Sequence, residues 1–452
     1  MTKLETLQAE LTRLNLEILT DVGTTLRTKQ RRINVIILAI ARITGTVVGG
    51  TPGPQGEEGP KGDKGDKGDK GSIGNDGIQG PEGPKGDKGN KGNIGDKGEQ
   101  GIQGLKGIDF LSSNLNNVMS KIANDEKKLS ILLIGDSNTD DPYSMYSAYH
   151  KHISKAFPTR GCGWVGFTGT RPFGAGNFVL TGEWQVNNAQ NPASRSLGNR
   201  DIIGTSGSKA YIPSYQGEGA TFSKAENIDL YYKDGNAVFK YKVNGGASVT
   251  INCENSNVPK QINLPFALTT DWSIEVEVIS GSLNLYGINV YQNSDGVLIH
   301  KLGNSGTTSG DWSPCVDSPE WRTQLQMIKP DAIIIQLGTN DKNLGLTPLQ
   351  STNNLNTIID SIRLVDKIVD IVIVAPNDDD YNSTITKEMD KILDKAYADV
   401  AYNKNVGFVS LLTLNGDFEK ANALGIFVAD KIHFTSKGSN TQAYAIIKKL
   451  SL

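Results

Sequence analysis

Apolar positions along the chain fall into four regimes. In residues 1–49, Leu4, Leu7, Leu11, Leu14 and Ile18 alternate spacings of three and four, and the pattern resumes at Ile33, Ile36, Ile40 and Ile43 beyond a break at Gly23. That is the seam of a coiled coil, and isoleucine at both seam positions favours three strands over two. An amphipathic helix docked on a partner fits the same spacing, so the region reads as a trimerisation or attachment element. From Gly50 to Asp109 this periodicity gives way to twenty unbroken Gly-X-Y triplets. Only glycine fits the crowded axis of three polyproline-like strands, so this register specifies a collagen triple helix. A flexible linker has no reason to keep it.

The third regime begins after a short helical linker, 110–127. Continuous apolar runs, LSILLIG, DAIIIQLG, DIVIVAP and VGFVSLL, alternate with segments of helical spacing. One helical face carries Tyr143, Tyr146, Tyr149, Ile153 and Phe157, and another Leu355, Ile358, Ile359, Ile362 and Val365. Buried strands separated by helices predict a parallel sheet covered on both faces, a three-layer α/β/α domain built from 128–157 and 299–452. The fourth regime, 158–298, alternates with period two. It predicts a β-sandwich inserted between parallel strands, with Asp234-Gly235 and Asn244-Gly245 as hairpin turns. Trp164, Trp184, Tyr211, Tyr215 and Trp272 could stack on sugars there, although aromatics of a sandwich usually fill its core. Removal of 158–298 is accordingly expected to weaken attachment to a surface more than it slows chemistry.

Composition refines this picture. Glycine numbers 51 of 452 residues, concentrated in the triplets. Proline is scarce among them, and Lys-Gly-Asp units such as Lys61-Gly-Asp63 and Lys85-Gly-Asp87 supply opposite charges for staggered chains. At about 3.1 Å per residue the segment spans roughly 180 Å. A net charge of −3 gives no reason to expect nucleic acid. The apolar stretch 33–43 is too short to span a bilayer, and Arg31, Arg32 and Arg42 bracket or interrupt it, so no membrane insertion is expected. Cys162, Cys253 and Cys315 are too few and too scattered for a disulfide framework. The opening MTKLETLQAE lacks the basic and apolar stretches of an export signal, and assembly in a cytoplasm is expected.

Ligands of open parallel sheets bind at the carboxyl ends of the strands, where three motifs fall in order. Gly135-Asp136-Ser137-Asn138 ends the first strand, Gly338-Thr339-Asn340-Asp341 ends IIIQL, and Asp430-Lys431-Ile432-His433 precedes the last helix. Alone, each is a cap or a turn. Together they supply nucleophilic acyl transfer: Ser137 attacks, His433 removes its proton, and Asp430 fixes the imidazole tautomer. The Ser137 N–H and the Asn340 amide can meet a developing oxyanion, with a further N–H from a glycine of HKLGNSGTTSG. His150 and His152 lie two apart on a helix and make a poor metal pair, and His300 reads as structural. No metal and no cofactor is expected.

These blocks resemble the SGNH/GDSL hydrolases over 128–156 and 299–452. The resemblance implies a metal-independent serine esterase with Ser137, Asp430 and His433 as catalytic residues, and Ser137, Gly306 and Asn340 as the oxyanion hole. Asp136, Gly338 and Asp341 would be supporting residues. Asn138 stands where the family usually has leucine, which argues against lipase-like substrates. A trimeric collagen-like stalk with such a head resembles a bacteriophage tail fibre or tailspike. That resemblance implies a virion protein, a homotrimer, attached through its N-terminal region to a tail or baseplate protein. Its head would remove O-acetyl or other small acyl groups from a host cell-surface polysaccharide. A fibre whose head has become a non-catalytic, lectin-like receptor binder is the alternative.

The triplets make one prediction directly. Replacing Gly68 by a bulkier residue lowers the melting temperature of the triple-helix signal in circular dichroism and leaves the unfolding of the globular part unchanged. A globular monomer in light scattering refutes the trimer.

Overall fold

The computed structural model describes residues 116–449 except 125, 127, 141–144, 154–157, 168–177, 188–193, 195, 199, 215–223 and 381–386. The predicted coiled coil, the collagen-like stalk, most of the linker, Tyr143, Phe157 and Tyr215 lie outside the described residues.

The described residues begin with α1 (Asn116–Ala123), β1 (Lys128–Gly135), α2 (Ser137–Asp140) and α3 (Met145–Ile153). Ten strands follow: β2 (Gly163–Val165), β3 (Val179–Thr181), β4 (Trp184–Asn187), β5 (Asp201–Thr205), β6 (Lys209–Pro213), β7 (Ala225–Lys233), β8 (Val238–Val243), β9 (Val249–Asn252), β10 (Pro259–Thr269) and β11 (Ser273–Ser280). After β12 (Ser282–Tyr291) and β13 (Gly296–Gly303) come α4 (Ser309–Val316), α5 (Pro319–Ile328), β14 (Ala332–Gln336), α6 (Thr339–Asn343) and α7 (Pro348–Val365). The chain closes with β15 (Asp370–Ala375), α8 (Lys387–Lys404), β16 (Gly407–Ser410), α9 (Leu411–Asn415), α10 (Phe418–Ala423) and α11 (Ser436–Lys449).

A parallel sheet in the order β13-β1-β14-β15-β16 forms the middle layer. Period-two geometry divides β1 between two cores. Leu132 and Ile134 pack with Trp312, Trp321, Leu355, Ile358 and Tyr397, whereas Ile131 and Leu133 pack with Tyr146, Tyr149, Ala443 and Ile446. The three-layer α/β/α expectation is met, with one strand more than the apolar runs suggested. β13, GVLIHKLG, escaped notice because His300 and Lys301 interrupt its apolar pattern. His300 is buried, with Nε2 3.0 Å from Ser130 Oγ and Nδ1 accepting from the Trp164 N–H at 3.1 Å. Burial drives its pKa down to about 3, so it stays neutral. The parallel sheet also takes in Gly296–Leu298, which the sequence pattern assigned to the insert.

The insert forms two antiparallel sheets, β10-β7-β12-β5-β4 with β2 on β12, and β3-β6-β11-β8-β9. Ile228, Leu230, Leu285 and Ile288 of the first share a core with Ile212, Phe239, Ile274 and Val276 of the second, as in a sandwich. Asn244 and Gly245, both at positive φ, close the β8–β9 hairpin. Asp234-Gly235 does not close a hairpin, because β7 and β8 lie in different sheets. Asp234 instead accepts from the backbone N–H groups of Glu254 and Ser256, which fixes the crossover.

The sandwich is not a detachable appendage. Trp164, Leu197, Tyr231 and Tyr286 belong to the same core as Leu302, Trp312 and Trp321 of the parallel domain. Removing 158–298 would open that core and cut into β13, so loss of attachment and loss of chemistry could not be separated by such a deletion. Trp164 and Trp272 are buried and unavailable to sugar, Trp184 lies half-buried against Gly204, and Tyr211 is exposed. All three cysteines are free thiols. No described helix is long and apolar enough to cross a membrane.

Trp164 tests this continuity. It is fully buried, 5.0 Å from the Tyr231 ring between centroids. Trp164→Ala should lower the unfolding free energy by about 3–5 kcal/mol, measured in urea. A change under about 1 kcal/mol would mean that the two parts do not share a core.

Candidate active site

β1 ends at Gly135 because nothing larger fits: a Cβ there would lie 2.0 Å from Thr139 Oγ1. The chain folds straight back into α2. Asp136 caps the turn, its Oδ1 accepting from the Asn138 N–H at 2.9 Å and its carbonyl from Thr139 and Asp140 at 3.1 and 3.0 Å. Ser137, the first residue of α2, is thereby held above the sheet edge. The Asp136 carboxyl is buried, which pushes its pKa up to about 7 against the opposing Asn138 N–H and the charge of His433.

The loop between β13 and α4 stands beside it. The Asn304 N–H donates to Gly135 O at 3.1 Å, and Gly306 turns at positive φ. Thr307 closes the turn, its hydroxyl donating to Asn304 O at 2.6 Å. The loop after β14 approaches from the other side. Gly338 has φ 121°, and a Cβ there would lie 2.8 Å from Tyr397 Oη. It delivers Asn340, whose Nδ2 donates to Thr307 O at 2.9 Å, one residue from Gly306. A second amide hydrogen of Asn340 is left over from that bond. Asp341 is buried and accepts from Ser309 N at 2.7 Å and Ser309 Oγ at 2.5 Å, pinning the start of α4. Next to it, buried Lys342 pairs with Asp379 at 2.9 Å and Asp390 at 2.6 Å, joining this loop to the one after β15.

Asp430 and His433 lie in the loop before α11. Asp430 Oδ1 accepts from the backbone N–H groups of Ile432 and His433 at 3.0 and 2.9 Å, a local turn made possible by Lys431 at positive φ. Its Oδ2 lies 2.7 Å from His433 Nδ1, and His433 Nε2 lies 2.8 Å from Ser137 Oγ. A carboxylate can only accept, so Nδ1 carries the hydrogen and Nε2 faces the Ser137 hydroxyl as acceptor. Partial burial works to raise the Asp430 pKa, but the two backbone N–H groups and the His433 ring overcome it and hold the carboxyl below the usual range. Ser137, His433 and Asp430 thus form one continuous chain of hydrogen bonds, able to strip a proton from a serine hydroxyl.

Asn138 corrects one expectation. It is buried, and its Oδ1 accepts from the Phe434 N–H at 3.3 Å. It therefore ties α2 to the histidine loop rather than lining an exposed pocket. His150 and His152 do not pair. His150 is buried edge-on to Tyr146, and His152 Nε2 lies 3.1 Å from Asn440 Oδ1. Sequence reasoning missed Asp140, Asn304, Thr307 and Ser309, which tie the loops together, and Arg200, which reaches them from the insert. No short-range signal marks any of them.

Comparison with known proteins follows the same lines. Residues 283–440 match the GDSL-like Lipase/Acylhydrolase family, and residues 50–109 match the collagen triple helix repeat. Among solved structures, one described as a peptidoglycan O-acetylesterase in action superposes with a TM-score of 0.59 at 19% identity, covering 75% of this chain and 95% of that one. A family two carbohydrate esterase from Cellvibrio japonicus superposes at 0.27 with 10% identity over 61% of this chain and 98% of its own. A lipase/acylhydrolase from Enterococcus faecalis gives 0.30 at 21% over 34% of this chain and 76% of its own. No curated protein matches. The chain therefore carries a GDSL-like lipase/acylhydrolase domain with an α/β fold and a collagen triple-helix repeat.

The raised Asp136 pKa gives a signed prediction. The carboxyl ionises near 3.8 in the unfolded chain and near 7 in the folded one, so the native state holds the extra proton between those values. Stability is full below about pH 4 and falls as pH rises towards 7, by at most about 4 kcal/mol. Asp136→Asn keeps the acceptor for the Asn138 N–H and cannot ionise. Its urea stability should lose that slope and exceed wild type above pH 7. Parallel curves for the two proteins would place the titration elsewhere.

Proposed function

We propose that the GDSL-like domain is a serine esterase that removes O-acetyl or similarly small acyl groups from a bacterial surface polysaccharide, carried on a trimeric phage tail fibre. The observation that carries the catalytic part is the bond chain from Asp430 through His433 to Ser137, at 2.7 and 2.8 Å. In this reading His433 Nε2 takes the Ser137 proton as Oγ attacks the ester carbonyl carbon. Negative charge gathers on the carbonyl oxygen, met by the N–H groups of Ser137 and Gly306 and the free amide hydrogen of Asn340. His433 then gives its proton to the departing sugar oxygen, leaving an acyl group on Ser137. Water gives a proton to His433 Nε2 as its oxygen attacks the acyl carbon, and His433 returns that proton to Ser137 Oγ as the Ser137–acyl bond breaks and the carboxylic acid leaves.

Support for the substrate class comes from two directions. A GDSL-like domain on a collagen-like repeat suits a repetitive target, because three weak sites on one stalk gain avidity. One solved structure that shares the fold is described as a peptidoglycan O-acetylesterase. The virion setting rests on the stalk, on its Lys-Gly-Asp charge pattern and on the N-terminal heptads as an attachment region. The bond chain through His433 weighs against a lectin-like head, which would have no use for it.

The test compares wild type with Ser137→Ala. The variant should fold and assemble as wild type does, and lose at least roughly 10⁴-fold in turnover of a small aryl acetate. Chelators should leave wild type unaffected. On acetylated bacterial polysaccharide, wild type should release acetate and erase acetyl signals in NMR spectra while the variant does neither. Shortened chains without acetate would make the head a depolymerase, and retained activity in Ser137→Ala would remove the serine from the mechanism.

A further inference from the structure

A strap from the sandwich enters the parallel domain beside the nucleophile. Leu197 is fully buried, its N–H donating to Gln324 Oε1 at 3.0 Å and its carbonyl accepting from Trp321 Nε1 at 2.9 Å. Gly198 passes so close to Trp164 that a Cβ would lie 2.9 Å from its Nε1. Three residues beyond Leu197, these anchors deliver Arg200, whose side chain is only 16% exposed.

The guanidinium bridges two catalytic loops. Its Nη2 donates to Asp140 Oδ2 at 2.9 Å, and its Nε to Asn304 Oδ1. Asp140 ends α2, the helix that Ser137 begins, and also accepts from Ser305 Oγ at 3.1 Å and pairs with Lys301 at 3.4 Å. Asn304 holds Thr307, and Thr307 O receives the Asn340 amide. The 304–307 loop thus meets the nucleophile turn directly, through the Asn304 N–H and Ser305, and meets the Asn340 loop through Thr307, while Arg200 of the insert adds a clamp between Asp140 and Asn304.

We infer that Arg200 is a positioning residue that fixes the separation between the Ser137 helix and the 304–307 loop, so that the oxyanion donors stay aimed at one point. The inference rests on the esterase reading of Ser137. It gives the β-sandwich a part in the chemistry: the insert completes the oxyanion site from outside the parallel domain. Arginine suits the task because its planar fork meets two acceptors at a set angle, which an ammonium on a flexible stem does not. Misplacement of the donors by about 1 Å is enough to lose on the order of 100-fold in rate.

The experiment uses the full-length protein and follows an aryl acetate in wild type, Arg200→Ala, Arg200→Lys and Arg322→Ala, the last removing an ion pair with Asp317 between α4 and α5. Arg200→Ala should lose roughly 10- to 100-fold in kcat with KM within about threefold of wild type. Added guanidinium at non-denaturing concentration should restore activity several-fold in Arg200→Ala and in no other protein. Arg200→Lys should remain impaired, and Arg322→Ala should match wild type. Amide exchange in 303–307 and 137–140, read by mass spectrometry, should quicken in both Arg200 variants. Unchanged exchange, or kcat of both folded Arg200 variants within about twofold of wild type, would overturn the inference. Should Arg200→Ala not fold, Arg200→Lys alone decides by the same criteria. A wild type inactive on every ester would instead overturn the esterase reading, with exchange still deciding the positioning role.

Discussion

Geometry at the site depends on the register in which β1 lies between β13 and β14. Gly135 sits opposite Gly303 on one side and Gln336 on the other, so three loops leave the sheet at one level. That level admits no extra bulk: a Cβ at Gly303 would lie 2.4 Å from the Asp140 N. A slip of one residue would also exchange the faces of β1, turning Leu132 and Ile134 towards the layer that holds Tyr146 and Ile446. Burial of apolar surface on both faces therefore enforces the register. The same burial fixes the level at which the loops bearing Ser137, Gly306 and Asn340 leave the sheet.

The histidine loop is held by different means. Asp430 and His433 are exposed by 45 and 37% at their side chains, where an ion pair by itself contributes little. Accuracy there comes from backbone groups: two N–H donors fold onto Asp430 Oδ1, the Val428 N–H bonds to His433 O at 2.9 Å, and the Phe434 N–H reaches Asn138. Beneath the loop, Phe427 packs on Phe418 and Phe434, with Ala421 and Ile426 buried beside them. Loops anchored on the sheet thus face a histidine on a loop whose shape is locally determined.

This division explains what could be read from the amino-acid order. Strands with uninterrupted apolar runs were legible, as were the three motifs at their ends, because each is a short-range pattern. β13 was not, since buried His300 and half-buried Lys301 look polar until Ser130, Trp164 and Asp140 are brought against them. Trp164 and Trp272 fitted either a sugar platform or a core in one dimension, and are core residues in three. Asn138 looked like a polar lining and is a strut. Arg200 carried no signal at all, because its meaning lies in partners 60 and 104 residues away.

Joining a binding-type fold to a hydrolytic core has a consequence for a fibre that would both hold and modify a polymer. A detachable sugar-binding module would keep its grip after the acyl groups were gone, and a trimer multiplies that grip. Here the sandwich shares a core with the parallel domain, and of its described candidate rings Trp164 and Trp272 are buried, which closes them to sugar stacking. Affinity for the polymer would then reside mainly at the esterase site and vanish as the acyl groups are removed. On the proposed reading, three such sites would bind an acylated surface together and release a deacylated one together, which would give movement across the surface a direction.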